Sequence, residues 1–196
     1  MSALFPHPII VEGTRILRPV EWEGVLLGSS LDLSRPWGPT FLPALLNLGT
    51  RYVESQRLQW AGTKWLEGSF VHLPKEALFK KRKQLERYVR LSPQGLAAVK
   101  AFLSSPYELP SKWGLRDALR HWARLGRISP DALSPKTTRK TWESWLTYYY
   151  RGNSTAYPFI LQSQGHDATT SLNHYLGLPF LPEDAKAMEP YVGGWL

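Results

Sequence analysis

The stretch from residue 69 to residue 91, SFVHLPKEALFKKRKQLERYVRL, decides the fold class of this chain. Its two ends, residues 69–73 and 87–91, alternate in polarity and carry β-forming side chains, so each predicts a strand. Between them lies a connection that begins at Pro74 and is rich in lysine. We therefore expect an antiparallel hairpin with a long, basic tip.

Outside this hairpin the chain predicts helices, because apolar residues recur at helical spacing between Pro, Gly and Ser breaks. The predicted helices cover residues 17–27, 41–48, 52–58, 94–103, 115–125, 138–149, 157–162, 172–176 and 182–191. Residues 1–16, which Pro6 and Pro8 interrupt, predict an extended lead-in. The fold class is thus mainly α with a small antiparallel β-sheet (α+β), with one domain over residues 17–177 and a C-terminal segment over residues 178–196.

Composition excludes several classes of protein. The 196 residues suffice for one domain with a buried core, and the absence of cysteine excludes disulfide frameworks and thiol catalysis. No apolar run approaches the roughly 18 residues that a membrane helix needs, and the N-terminus does not resemble a secretory signal. A formal net charge of +8 favours a polyanionic partner, nucleic acid before an anionic membrane surface, with a merely solvated basic surface as the alternative.

Aromatic residues near the C-terminal half are expected mainly to pack. Trp142 and Trp145 lie at helical spacing and are predicted to be core residues. The three consecutive tyrosines at positions 148–150 are interpreted as half-buried packing residues. A lone Arg, His or Tyr is in general more often structural than catalytic, so any functional assignment must rest on several positions together.

Three short motifs supply such a set: GTRYVE at residues 49–54, KTTR at residues 136–139 and GHDATTSLNHY at residues 165–175. Each is weak alone. Their order and internal spacing together resemble the tyrosine recombinase (phage integrase) family, and the Lys-x-x-Arg form of the second motif resembles archaeal and archaeal-virus members. The resemblance covers about residues 17–196 and implies the catalytic-domain fold of that family.

The resemblance implies a catalytic set of Arg51, Lys75, Lys136, Arg139, His166 and Tyr175. Glu54 matches the acidic position after the first arginine, and Tyr175 falls nine residues after His166, where the family has its nucleophile. The family's catalytic lysine lies on the hairpin between the two arginines. Lys75, directly after the first predicted strand, is the first choice, and Lys80, Lys81 and Lys83 are its rivals.

These residue types suit phosphoryl transfer. Two guanidiniums, always protonated and able to bond bidentately, match the charge that concentrates on a phosphodiester during attack. A phenol with an ordinary pKa of about 10 needs help to deprotonate, which His166 or Lys136 would supply. A lysine on the hairpin would protonate the leaving 5′-oxygen. The arginines supply the positive charge, so we expect no metal and no other cofactor.

The resemblance implies a site-specific recombinase that cuts and rejoins DNA strands through a covalent 3′-phosphotyrosine. Its partners would be double-stranded DNA and further copies of itself in a tetramer on DNA, with residues 178–196 available to dock on a neighbouring subunit, and with no membrane. The expected location is the cytoplasm, on the nucleoid, or the host cytoplasm for a virus. The family's N-terminal core-binding domain is not recognisable, so we expect an excised catalytic domain or a minimal natural form. Two alternatives stay open: a type IB topoisomerase-like nicking and resealing enzyme, and a truncated integrase that only binds DNA.

Overall fold

The computed structural model describes residues 7–79, 85–165 and 177–196. Within these ranges the elements follow the order β1 (Ile9–Val11), β2 (Thr14–Ile16), α1 (Pro19–Leu31), α2 (Gly38–Leu48), α3 (Tyr52–Ala61), a short 3₁₀ turn (Gly62–Trp65), β3 (Leu66–Glu67), β4 (Phe70–Leu73), β5 (Arg87–Arg90), α4 (Pro93–Leu103), α5 (Lys112–Leu125), α6 (Thr137–Tyr149), α7 (Ala156–Gln164) and α8 (Pro182–Val192). The predicted α+β class is confirmed, and none of these helices is long and apolar enough to cross a membrane.

The predicted hairpin is present. Strands β4 and β5 pair antiparallel, with Phe70 opposite Arg90 and Leu73 opposite Arg87. Strand β3, which was not predicted, adds a short third strand on the other side of β4. Because side chains alternate across a strand, Val71 and Val89 are buried against the helices, and the opposite face of the sheet is half exposed.

The N-terminal region differs from the extended lead-in that we expected. Residues 9–16 form a two-stranded hairpin in which Ile9 pairs with Ile16. Both of these side chains are buried, and β2 packs on α6. Arg15 ties the hairpin to the loop before α6, since its main-chain N–H bonds the carbonyl of Ala132 at 2.9 Å.

Helix α6 lies at the centre of the molecule. Every residue from 137 to 147 is buried, and the helix packs against β2, α2, α7 and α8. Trp142 and Trp145 are fully buried, as predicted. A buried helix that also carries polar side chains must give them partners, because an unpaired buried polar group is costly. Three of its polar side chains, those of Arg139, Lys140 and Thr141, bond to neighbouring elements.

The tyrosines at the end of α6 behave as expected. All three are half buried, and the Tyr148 and Tyr150 hydroxyls donate to the carbonyls of Phe180 and Val192 at 3.1 and 2.8 Å. Burial raises the pKa of Tyr149 above its ordinary value, and the charge of Glu189 adds to the shift. The hydrogen bonds of Tyr148 and Tyr150, and the edge-to-face contact of the Tyr149 and Tyr150 rings with centres 5.0 Å apart, give the three side chains packing roles.

The C-terminal segment packs on its own chain. Met188, Val192 and Trp195 are fully buried, and the Trp195 Nε1–H donates to the carbonyl of Arg90 at 2.9 Å. Helix α8 contacts α6, α1 and α4. Docking of this segment on a neighbouring subunit stays a prediction, but these three side chains are already used inside the fold.

Candidate active site

Arg139 joins the ends of two helices that are far apart in the sequence. It lies in the first turn of α6 and is almost fully buried. Its Nη1 donates to the carbonyl of Gly49 at 2.8 Å, just after α2, and its Nη2 donates to the carbonyl of Gln164 at 2.6 Å, the last residue of α7. The second arginine of the predicted set therefore lies between the segment before Arg51 and the segment before His166.

Two glycines allow this close approach. Gly49 ends α2 in the left-handed region (φ 54°), and a Cβ there would lie 2.6 Å from the Trp142 ring. Gly165 ends α7 in the same region (φ 64°), and a Cβ there would lie 3.0 Å from the Arg87 side chain. A larger residue would meet both backbone strain and a clash at either position. Backbone conformation and close packing thus explain why glycine occupies these positions of the first and third motifs.

Arg51 precedes the first residue of α3, and Glu54 holds it there. One Glu54 carboxylate oxygen accepts from the Arg51 main-chain N–H at 3.0 Å, and the other pairs with the Arg51 guanidinium at 3.3 Å. The Glu54 side chain is fully buried, whereas that of Arg51 is 24% exposed. The Arg51 guanidinium therefore reaches solvent while its position is fixed from inside.

Arg87 belongs to the same group, although it was not among the predicted site residues. Its Nη2 pairs with Glu54 at 2.8 Å, and its Nε donates to the carbonyl of Ser163 at 3.1 Å. The side chain is buried, and its Nη1 has no hydrogen-bond partner among the described residues. A signal was available, because Arg87 lies two residues before Val89 and so shares the core-facing side of β5. We call Arg51, Glu54, Arg87 and Arg139 the guanidinium cluster.

The pKa shifts report the proximity of these groups. Burial lowers the pKa of Arg139 to about 10; the charges of Arg51 and Arg87 act in the same direction, and those of Glu143 and Glu54 oppose it. Burial also opposes ionisation of Glu54, but Arg87 and the Arg51 main-chain N–H, followed by Arg139, outweigh it and lower the pKa of Glu54 below its ordinary value. With a pKa of about 10, Arg139 is protonated at neutral pH, and the lowered pKa of Glu54 keeps that carboxyl ionised. The guanidinium cluster thus holds three guanidiniums around one buried carboxylate, with the Glu143 side chain near Arg139. The surplus is positive, which suits an anionic ligand.

Two of the predicted catalytic lysines, Lys136 and Lys75, lie within the described residues. Lys136 is exposed immediately before α6 and one turn before Arg139. Lys75 is exposed just after β4, and its main-chain N–H donates to Glu86 at 3.2 Å. No hydrogen bond or ion pair joins the Lys75 ammonium to the cluster within the described residues. Further along the same connection, the Phe79 N–H donates to Glu54 at 3.3 Å, so the chain that leads to the basic tip is anchored on the cluster.

Several predicted site residues lie outside the described residues: Lys80, Lys81, Lys83, His166 and Tyr175. Their roles stay predictions. The structure nevertheless places Gly165, the residue before His166, against Arg87. Within the described residues no group of three His, Asp or Glu side chains has the arrangement of a metal site.

A second concentration of positive charge lies on α5. Lys112, Arg116, Arg120 and Arg124 follow one another at four-residue intervals, which we call the α5 row. Arg116 lies 4.4 Å from the centre of the Trp113 ring, and Trp113 is 65% exposed. The connection before α5 is tied to α3, because the Tyr52 hydroxyl donates to the carbonyl of Pro110 at 2.7 Å. The α5 row thus begins close to the helix that Arg51 precedes.

Comparisons of the chain with models of known families, with curated proteins and with solved structures found no match. The resemblance to tyrosine recombinases therefore rests on the three sequence motifs, and the function must be argued from them together with the geometry of the cluster.

Proposed function

We propose that this chain is the catalytic domain of a site-specific tyrosine recombinase that acts on double-stranded DNA. The observation that carries the proposal is the convergence of Arg51 and Arg139, whose positions were selected from motifs 88 residues apart in the sequence. Arg139 donates to the carbonyl two residues before Arg51, and the charge of Arg51 contributes to lowering the pKa of Arg139. Two arginines chosen at random would not be expected to share one polar centre.

The cluster suits a phosphodiester because its donors are held before the ligand arrives. Glu54 fixes Arg51 and Arg87, and two main-chain carbonyls fix Arg139. Preorganised donors of this kind stabilise charge that develops in a transition state without reorganising. The partly exposed Arg51 would contact a non-bridging oxygen, while the buried arginines supply the surrounding positive field.

In the proposed reaction the Tyr175 phenolate oxygen attacks phosphorus, and the bond from phosphorus to the 5′-oxygen breaks. The leaving oxygen takes a proton from a lysine of the hairpin connection, and the DNA 3′-phosphate remains on the tyrosine. A 5′-hydroxyl of another strand then reverses these steps. Lys136, which is exposed one turn before Arg139, would assist deprotonation or contact the DNA backbone.

The DNA partner is supported by charge outside the cluster. The α5 row adds four cations, and the connection between β4 and β5 adds the basic run at residues 80–83. Phosphate contacts from such surfaces supply most of the affinity for DNA and make it dependent on salt. Assembly into a tetramer on DNA belongs to the same proposal, as does an archaeal or viral mobile element as the source.

A suicide-substrate experiment tests the proposal. The full chain is incubated with nicked duplexes from the DNA that flanks its own gene, so that the strand downstream of the cut diffuses away and the covalent complex accumulates. We expect a protein–DNA adduct that survives denaturant. DNA binding with no adduct on any substrate would leave only the binding-module alternative.

The products separate the remaining alternatives. When a second DNA with a free 5′-hydroxyl is added, a recombinase joins two different molecules. A topoisomerase-like enzyme relaxes supercoiled plasmid and reseals the original strand. Relaxation with no joining of separate molecules would replace the recombinase proposal by the topoisomerase-like one.

A further inference from the structure

An open cleft of about 310 Å³ lies between α7 and the outer face of the sheet. Its walls are Phe70, Tyr88, Arg90, Phe159, Gln162 and Ser163. None of these residues belongs to the predicted catalytic set, and none of them is acidic. The function proposed above leaves the cleft without a role.

The walls of the cleft are aromatic and open to solvent. Tyr88 is 45% and Phe159 is 48% exposed. The Phe70 and Tyr88 rings meet edge to face with centres 6.5 Å apart, and the Arg90 guanidinium lies 5.5 Å from the centre of the Phe70 ring. A flat π-system entering here would meet exposed aromatic side chains and a cation.

The cleft and the guanidinium cluster share a wall. The Ser163 carbonyl accepts from Arg87, on the inner face of β5, at 3.1 Å, and the Ser163 hydroxyl accepts from the main-chain N–H of Arg90 at 3.4 Å. The next residue, Gln164, accepts from Arg139 at 2.6 Å. A ligand in the cleft is therefore separated from the cluster by little more than one strand and the last turn of α7.

We propose that the cleft binds an unstacked nucleobase of the strand whose phosphate lies at the guanidinium cluster; the inference rests on the phosphate ligand of the proposed function. An apolar cavity of about 150 Å³ accommodates benzene, so this cleft has room for a purine or pyrimidine. Exposed aromatic side chains bind bases by stacking without regard to sequence, and a guanidinium adds to the attraction. The lack of a carboxylate among the six lining residues suits a ligand tethered to phosphates.

On the outer face of the sheet, the residues beside Tyr88 limit where the bound DNA strand can run. His72 stacks on Tyr88 at 4.7 Å between ring centres, and its ring nitrogens lie 3.8 and 3.4 Å from Glu67 and Glu86. These two carboxylates repel phosphate. The sugar-phosphate chain of the bound base would therefore lie away from His72, on the side of the cleft that Arg90 and α7 form.

Binding of the full chain to three DNAs of one sequence tests the proposal: a paired duplex, the same duplex with one unpaired 2-aminopurine, and the single strand carrying that base. We expect the two DNAs with an available base to bind about 5- to 150-fold more tightly than the paired duplex. The 2-aminopurine fluorescence should be quenched in both complexes. Tyr88→Leu and Phe159→Leu should each remove the quenching and most of the preference, whereas Tyr107→Leu, equally exposed at 43% but on the connection before α5, should change neither.

The contrary outcomes are distinct. If all three DNAs bind equally well and Tyr88→Leu behaves like the unaltered protein, the base site is wrong while DNA remains the partner. If no DNA binds, the proposed function fails and the base site with it. If free AMP or N-acetyltryptophanamide binds the cleft as tightly as the unpaired DNA does, the cleft takes a free small molecule or a protein side chain, and the proposal is overturned.

Discussion

The guanidinium cluster and the α5 row both concentrate positive charge, but they hold it in different ways. In the cluster, Glu54 is fully buried and bonds two arginines. On α5, Arg116 pairs with an Asp117 that is 63% exposed, and Lys112 and Arg124 are exposed to solvent. Buried, cross-linked charge is fixed in place but costly to assemble, whereas exposed charge is mobile and nearly neutral for folding. The cluster is therefore suited to chemistry and the α5 row to affinity.

The largest expected effect comes from removing the buried carboxylate charge of the guanidinium cluster. Glu54→Gln leaves the buried Arg87 guanidinium without a counter-charge, and removing one partner of a buried ion pair costs about 3–5 kcal/mol. Urea unfolding followed by circular dichroism measures the loss. The matched change on α5, Asp117→Asn, should alter the free energy of unfolding by about 1 kcal/mol or less. Equal losses for both variants would contradict the distinction between the two regions.

The next effect concerns chemistry rather than folding. Arg51→Ala should slow adduct formation on nicked DNA by about 10²–10³, because one charge-stabilising donor is lost. Arg51→Lys should restore little, since an ammonium cannot reproduce the bidentate guanidinium. Arg116→Ala serves as the control from the α5 row, and at saturating protein its adduct should form at the unaltered rate. A slow Arg116 variant under those conditions would place the α5 row in the reaction.

The α5 row should instead govern affinity. Replacing Lys112, Arg116 and Arg124 by Gln should change stability by about 0.5 kcal/mol or less at each position, because all three side chains reach solvent. The slope of log affinity against log salt should fall by about 0.9 for each phosphate contact that is lost. Anisotropy titrations of duplex DNA over a range of salt measure this slope. An unaltered slope would mean that DNA does not contact α5.

A smaller effect is the pH dependence of the stability that the charge of Glu54 contributes. Its pKa is lowered in the folded protein from an ordinary 4.5, so its contribution to stability is present above that value and is lost as pH falls through the folded-state pKa. The difference in unfolding free energy between the unaltered protein and Glu54→Gln should therefore shrink in acid. A difference that stays constant down to strongly acidic pH would show that the charge of Glu54 is not what stabilises the fold.

Within the described residues, the helices and the β4–β5 hairpin followed from the sequence because each has a local signal; the helix predicted over residues 172–176 lies outside those residues. Ser92 and Ser111 cap α4 and α5 through their side chains, at 3.1 Å in both cases, and left-handed Gly49 ends α2. These residues act within a few positions of themselves, so that neighbouring sequence suffices to predict them.

The N-terminal hairpin was not predicted because a residue far away in the sequence stabilises its turn. Glu12 adopts a positive φ of 48°, which is unfavourable for glutamate and weakens the sequence signal for a two-residue turn. Lys140 of α6 stabilises that turn by donating to the Glu12 carboxylate at 2.9 Å and to the Val11 carbonyl at 3.0 Å. Contacts between residues 128 positions apart cannot be inferred from local pattern.

For the candidate site, the motifs selected Arg51 and Arg139 but not Arg87. Arg87 has no motif neighbour, and its partners Glu54 and Ser163 meet it only in the folded chain. Its position on the core-facing side of β5 would have identified it as a buried charge. Such a charge requires a buried partner, and the burial of Glu54 was not predictable from the spacing of the first motif alone.

The central claim is that Tyr175 attacks a DNA phosphate, and mapping the covalent adduct tests it most directly. The trapped complex is digested with protease and nuclease, and mass spectrometry locates the residual nucleotide. The account predicts a nucleotide on Tyr175 alone and no adduct from Tyr175→Phe, with DNA binding retained within a few-fold; Tyr148→Phe, Tyr149→Phe and Tyr150→Phe should all still form it. An adduct on another residue, or one that survives Tyr175→Phe, would contradict the account.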